Sequence, residues 1–235
     1  MRPLSNGKAV LTALALATVL TGAGSCDVSS TTGDAQATSG PTATSSGSSA
    51  SASTGSGTSS GNGTAELDTL TVATAGPMTG YSRQKFTHWT GQGSGCDTRD
   101  VVLKRDGKDV KATDNCKITA GSWHSPYDDK DFTEAQALDI DHMVPLAAAW
   151  RSGAAQWTDE RRKEFANDLT RPQLFAVSAA SNRAKGDQDP STWKPPSQTY
   201  WCTYAQSWVT VKAYYKLTVT QAEKAALADM LATCK

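Results

Sequence analysis

Three short runs hold the side chains with catalytic potential: Leu138-Asp-Ile-Asp-His-Met-Val-Pro145, Phe165-Ala-Asn-Asp-Leu169 and Ser181-Asn-Arg-Ala-Lys-Gly-Asp-Gln-Asp-Pro190. The first carries Asp139, Asp141 and His142, the second Asn167, and the third Asn182, Arg183 and Lys185. A carboxylate and an amide oxygen are hard ligands, suited to Mg²⁺ or Mn²⁺. A neutral imidazole beside such a cation can take a proton from water near neutral pH. A cation held by only two protein groups keeps positions for phosphate oxygens. Together these groups suit phosphodiester hydrolysis, with His142 activating the nucleophile while the cation stabilises the developing charge. A lone Asp-x-Asp-His or Asn-x-x-Lys is a weak signal, often no more than a surface ion pair. The specificity lies in the order of the three runs and in the elements around them.

Those elements read as strand, long connection, strand, helix. The first run is a strand that ends at a turn fixed by Pro145. Asp139 and Asp141 are two apart and share one strand face, whereas His142 points to the other. For Asp141 and His142 to share a site, the ladder must break or twist there. Gln173–Val177 reads as the second strand. Ser178 is placed to cap a short helix over Ala179–Lys185, and Gly186 to stop it. Asn182 and Lys185, three apart, lie on one face of that helix. Thr158 caps a further helix to Ala166. Thr199–Lys216 forms another, with Tyr204, Trp208, Val211 and Tyr215 at helical spacing as core. Thr220 and Glu223 form a capping box for the last.

In this order the three runs resemble the HNH branch of the His-Me finger (ββα-metal) nucleases. They are most similar to secreted actinobacterial HNH-endonuclease-like proteins, which are related to the C-terminal domain of GmrSD restriction endonucleases. The HNH domain of RNA-guided CRISPR nucleases has a similar run of motifs. The resemblance extends to Tyr-Ser-Arg-x-x-Phe from Tyr81, to Cys-Asp-Thr-Arg from Cys96 and to four cysteines, over roughly Tyr81 to Cys234. It implies an α+β domain with a ββα-metal core and additional helices. It implies a metal-dependent endonuclease acting on DNA or RNA, with Mg²⁺ or Mn²⁺ held by Asp141 and Asn182 and with His142 as general base. Asn167 would brace the loop and orient the histidine. Arg183 and Lys185 would contact phosphate. Arg99, in the Cys96 run, either lines the substrate groove or makes an Arg–Asp brace beside a disulfide. The zinc-binding cysteine pairs of many HNH proteins are missing, and disulfides would replace their bracing. His88 reads as structural and His124 as a loop residue.

Composition sets the remaining bounds. The chain has 23 basic and 23 acidic residues, so its net charge of zero excludes a protein that coats nucleic acid by bulk charge, but not a local basic groove. No apolar run reaches the ~18 residues of a membrane span. Arg2 and Lys8 precede the apolar stretch Ala9–Leu20, and small residues then lead to Cys26. Residues 1–26 therefore read as an export signal ending in a lipobox, with Cys26 acylated, although Ala23 stands where Leu is usual. Residues 27–65 read as a flexible linker: Ser, Thr, Gly and Ala fill 32 of the 38 positions from Asp27 to Thr64, too few apolar groups to offset the entropy of ordering. Residues 66–235 hold all seven Trp, all six Tyr and all four Phe and form the folded domain. Its four cysteines imply two disulfides in an oxidising compartment. Local pairing, Cys96–Cys116 and Cys202–Cys234, is the simplest of three connectivities. The expectation is a monomer outside the bacterial cytoplasmic membrane, tethered by lipid or released, with nucleic acid as substrate. Two other classes remain open: a cell-envelope lipoprotein that keeps such a fold without catalysis, and a secreted hydrolase of another kind, such as a cell-wall enzyme.

Overall fold

The computed structural model describes residues 59–235. The export signal, Cys26 and most of the linker lie outside the described residues. Helix α1 (Ser59–Thr69) begins inside the stretch read as linker. Packing overrides its poor helix-forming composition: Leu67 and Leu70 are buried in the main core, and Gly63 comes so close to Leu231 that a Cβ would meet its Cδ2 at 2.9 Å.

The chain then makes a small hairpin of β1 (Gly91–Gly93) and β2 (Cys96–Asp97), which runs into α2 (Thr98–Asp106). Asp97 and Asp100 close a capping box at the start of α2, so this part of the Cys96 run is occupied in starting a helix. An antiparallel three-stranded sheet follows, made of β3 (Gly107–Ala112), β4 (Ile118–Ser125) and β5 (Lys130–Phe132). Next come β6 (Leu138–His142), α3 (Leu146–Arg151), α4 (Asp159–Ala166), β7 (Leu174–Ser178) and α5 (Ala179–Lys185). The chain ends with α6 (Trp201–Tyr215) and α7 (Gln221–Leu231). The architecture is α+β, with three small sheets among seven helices in the described residues.

The expected caps are in place. Thr158 accepts from Arg161 N, Ser178 from Ser181 N, and Thr220 with Glu223 forms a capping box. Gly186 ends α5 at φ 55°, a conformation that favours glycine. Strand β6 stops at His142, a bend at Met143–Val144 follows, and Pro145 sits at the start of α3.

β6 and β7 pair antiparallel without a bulge, from Leu138↔Ser178 to His142↔Leu174. Leu138 and Ile140 on one strand, and Leu174 and Ala176 on the other, enter a smaller core with Val102, Leu103 and Trp123. Val177 joins the larger core, where Phe86, Trp150, Phe165, Tyr204, Trp208 and Tyr215 pack between the helices. The strand pair is thus held from two sides. Both disulfides take the local pairing, Cys96–Cys116 beside α2 and Cys202–Cys234 across α6 and the end of α7.

Candidate active site

The pleat of β6 decides which side chains reach the site. Ile140 points into the smaller core, so Asp139 and Asp141 point the other way, toward α5. Asp141 is only 4% exposed. Its Oδ2 accepts from Tyr127 Oη at 2.5 Å and from Lys185 Nζ at 2.5 Å. No hydrogen bond from the described residues reaches Oδ1. Burial works against both charges of the Asp141–Lys185 pair, raising the carboxyl and lowering the ammonium, and their attraction pulls each back. Burial also holds the Tyr127 phenol well above its ordinary range, so it remains a donor.

His142 sits at the end of the strand. Its Nε2 lies 3.0 Å from the carbonyl of Ala166, and a carbonyl only accepts, so Nε2 carries the proton and Nδ1 the lone pair. Its ring stacks on Trp89 at 5.3 Å between centroids and 11° between planes, and meets His88 edge-on at 6.0 Å. Burial, with the positive charge of Arg83 and the neighbouring His88, pushes its pKa down to about 3 against the pull of the Ala166 bond. The neutral base form is therefore present across the neutral range.

Asn167 caps the C-terminal end of α4, one residue after the carbonyl that holds His142. Its Oδ1 accepts from Thr90 N and Thr98 Oγ1, and its Nδ2 donates to the carbonyls of Thr87 and Lys163. The bonds with Thr87 and Thr90 tie the end of α4 to the segment carrying His88 and Trp89, the bond from Thr98 ties it to α2, and the bond to Lys163 closes back on α4 itself. Asn167 thus fixes the surroundings of the imidazole from behind and does not enter the cleft.

Asp141, His142, Asn182 and Arg183 line one cleft of about 270 Å³, with Tyr81 and Arg83 on its other wall. The unbroken ladder through His142 shows that no bulge is needed: both residues meet the cleft where the strand ends. Asn182 Nδ2 donates to Asp139 Oδ2 at 3.2 Å. Arg183 is 77% exposed at its side chain and lies 3.7 Å from the same oxygen. Asp187, also on the cleft, pairs with Arg151 at 2.6 Å.

Two sequence expectations are corrected. Lys185 does not face substrate: it is fully buried and donates to Asp141 Oδ2 and to the carbonyls of His142 (2.7 Å) and Met143 (2.9 Å), so its three N–H groups are used in holding the end of β6. Arg99 is no part of the cleft either. It donates to the carbonyls of Ala135 and Leu138 and braces the entry to β6. Sequence reasoning missed Tyr127 and Trp89, which lie outside the three runs, and left Tyr81 and Arg83 as motif letters without roles.

Among the described residues, no three His, Cys, Asp or Glu side chains gather as a metal-holding group. The donor set that fits a hard divalent cation is the open oxygen of Asp141 with the amide oxygen of Asn182 at the same cleft.

Comparison with known proteins sets the class as an endonuclease-family domain. Residues 97–230 match the family of GmrSD restriction endonucleases, C-terminal domain. A protein of Arthroderma benhamiae, named only as an uncharacterized secreted protein, is 55% identical over 168 residues, covering 72% of this chain and 82% of the relative. No solved structure matches. The chain belongs to the family of GmrSD restriction endonuclease C-terminal domains.

Proposed function

We propose that the protein is an exported, metal-dependent endonuclease that hydrolyses phosphodiester bonds in DNA or RNA, with β6, β7 and α5 as a ββα-metal core of the HNH type. The observation that carries this reading is the fixed tautomer of His142. A buried neutral imidazole, its Nε2–H tied to a carbonyl, presents a lone pair on Nδ1 beside Asp141 and Asn182. In this reading Nδ1 takes a proton from the attacking water, the water oxygen bonds to phosphorus, and the bond to the leaving ester oxygen breaks, that oxygen keeping the electron pair and taking a proton from solvent. Arg83 and Arg183 supply positive charge on the two walls of the cleft for the substrate phosphates. Asp141 Oδ1 and the Asn182 amide oxygen would hold Mg²⁺ or Mn²⁺, which when bound supplies charge stabilisation on the phosphate.

The name of the 55% identical relative supports an extracellular location, as do the apolar run and small residues before Cys26. Acylation of Cys26 would then tether the enzyme to the outer face of the cytoplasmic membrane, and two chains of a diacylglyceryl group suffice for stable attachment. A Cys26→Ser form is expected to leave the membrane fraction; equal partitioning would remove the lipid from the account.

The test of activity is incubation of the purified protein with supercoiled plasmid and with RNA, in Mg²⁺, in Mn²⁺ and in excess chelator. Cleavage with either cation and none in chelator is expected. No cleavage under any condition would favour an envelope protein that keeps the fold without catalysis.

A further inference from the structure

We propose that Tyr127 is a positioning residue for this site: with Lys185 it saturates Asp141 Oδ2, so that the carboxylate meets the cleft through Oδ1 alone. The inference rests on the metal-dependent reading of the cleft. Tyr127 lies in the turn between β4 and β5, outside the β6–β7–α5 unit, and no motif in the chain marks it. Its hydroxyl is set by packing that owes nothing to the cleft. The side chain is fully buried, and its ring meets Trp193 at 5.4 Å, Tyr204 at 5.6 Å and Tyr200 at 5.9 Å. Its own carbonyl accepts from Ser197 N at 2.9 Å, which pins the turn.

The consequence follows from the geometry of a carboxylate. Rotation about the last side-chain torsion of Asp is soft, so a carboxylate held by one bond can offer a cation one oxygen or both. Lys185 alone leaves that freedom, because two of its three N–H groups serve the carbonyls of His142 and Met143. The tyrosine adds a second short bond to the same oxygen, which leaves Oδ1 as the oxygen with no donor among the described residues, on a residue that lines the cleft. Partners that orient a ligand in this way typically govern metal affinity by 10- to 100-fold.

The same aromatic cluster supplies the control. The hydroxyl of Tyr204 is buried and has no hydrogen-bond partner, so Tyr204→Phe removes an equivalent atom without touching Asp141. Tyr127→Phe keeps the ring and its three aromatic neighbours, and so keeps the fold. Mn²⁺ binding is measured calorimetrically on the wild type, Tyr127→Phe, Tyr204→Phe and Asp141→Asn, with a thermal melt of each apo protein. Tyr127→Phe should weaken Mn²⁺ binding about 10-fold or more. In plasmid cleavage it should raise the half-saturating Mn²⁺, with the rate recovered at high Mn²⁺ and the KM for DNA unchanged. Tyr204→Phe should bind Mn²⁺ as the wild type does. Wild-type affinity in Tyr127→Phe, or equal weakening in Tyr204→Phe, overturns the proposal while leaving the cleft reading intact. Wild-type Mn²⁺ binding that persists in Asp141→Asn overturns both.

Discussion

Two buried lysine–carboxylate pairs, Asp141–Lys185 under the cleft and Lys212–Glu223 between α6 and α7, differ by one oxygen. Lys212 and Glu223 join α6 to α7, with side chains 2% and 3% exposed. Glu223 Oε1 accepts from Lys212 and from Trp208 Nε1, and its Oε2 faces the backbone N–H of Thr220 in the capping box. Lys212 also donates to the carbonyl of Thr218. Both oxygens of Glu223 are thus partnered, beside a void of only about 30 Å³. Lys185 and Asp141 repeat the pattern, with Tyr127 in place of Trp208, but Asp141 lines a cleft of about 270 Å³ and its Oδ1 has no donor among the described residues. A closed pair specifies packing. A pair with one acceptor unspent, at the mouth of a cleft, is a place where a ligand can complete the set.

The comparison breaks most readily at the closed pair. Glu223→Gln leaves the Lys212 ammonium buried without its counter-charge and should cost about 3–5 kcal/mol in denaturant unfolding. Cleavage per folded molecule should be unchanged, because nothing in that pair touches the cleft. Asn182→Ala is the converse case. Its side chain lies at the open end, so stability should move by less than about 1 kcal/mol while the half-saturating Mg²⁺ rises. Loss of the Cys202–Cys234 bridge, through Ser at both positions, should cost about 3–4 kcal/mol from a closed loop of this size, read by the same unfolding curves.

Acid supplies a smaller effect. Burial pushes the Asp168 carboxyl up, but backbone N–H bonds from Arg171 and Thr170, the Tyr215 hydroxyl and the Arg171 guanidinium outweigh it and hold the group below its usual range. The folded state thus binds this proton less readily than the unfolded state. Its contribution is fully present above the ordinary carboxylate range and is lost as pH falls through the depressed folded value. Unfolding midpoints between pH 6 and pH 3 should fall less steeply in Asp168→Asn than in the wild type. The smallest change is Tyr204→Phe, which removes an unpartnered buried hydroxyl and should leave stability within about 1 kcal/mol or raise it slightly.

Much of this was legible in the chain because it is local. Thr158, Ser178, Gly186 and the Thr220–Glu223 box act within one helical turn, and each lies where its residue type places it. The alternation of Asp139, Ile140 and Asp141 also carried over directly to the two faces of β6. Depth was not legible. The spacing of Asn182 and Lys185 shows that both lie on one face of α5, but it does not show that the lysine passes beneath the strand while the amide stays at the rim. Nor does any pattern link Tyr127 to Asp141, since the contact comes from packing of a turn against an aromatic cluster. Arg99 misled for the same reason: its role depends on two carbonyls brought near by the fold.

The central claim is that the open end of this arrangement is a hydrolytic site with His142 as its base. The most direct test is the rate of supercoiled plasmid nicking in Mg²⁺ by wild-type protein and by His142→Ala, with matched thermal melts to show that both are folded. The account predicts that His142→Ala is slower by about 10²–10⁴-fold, the range for a lost general base. Nicking by folded His142→Ala at the wild-type rate would contradict it.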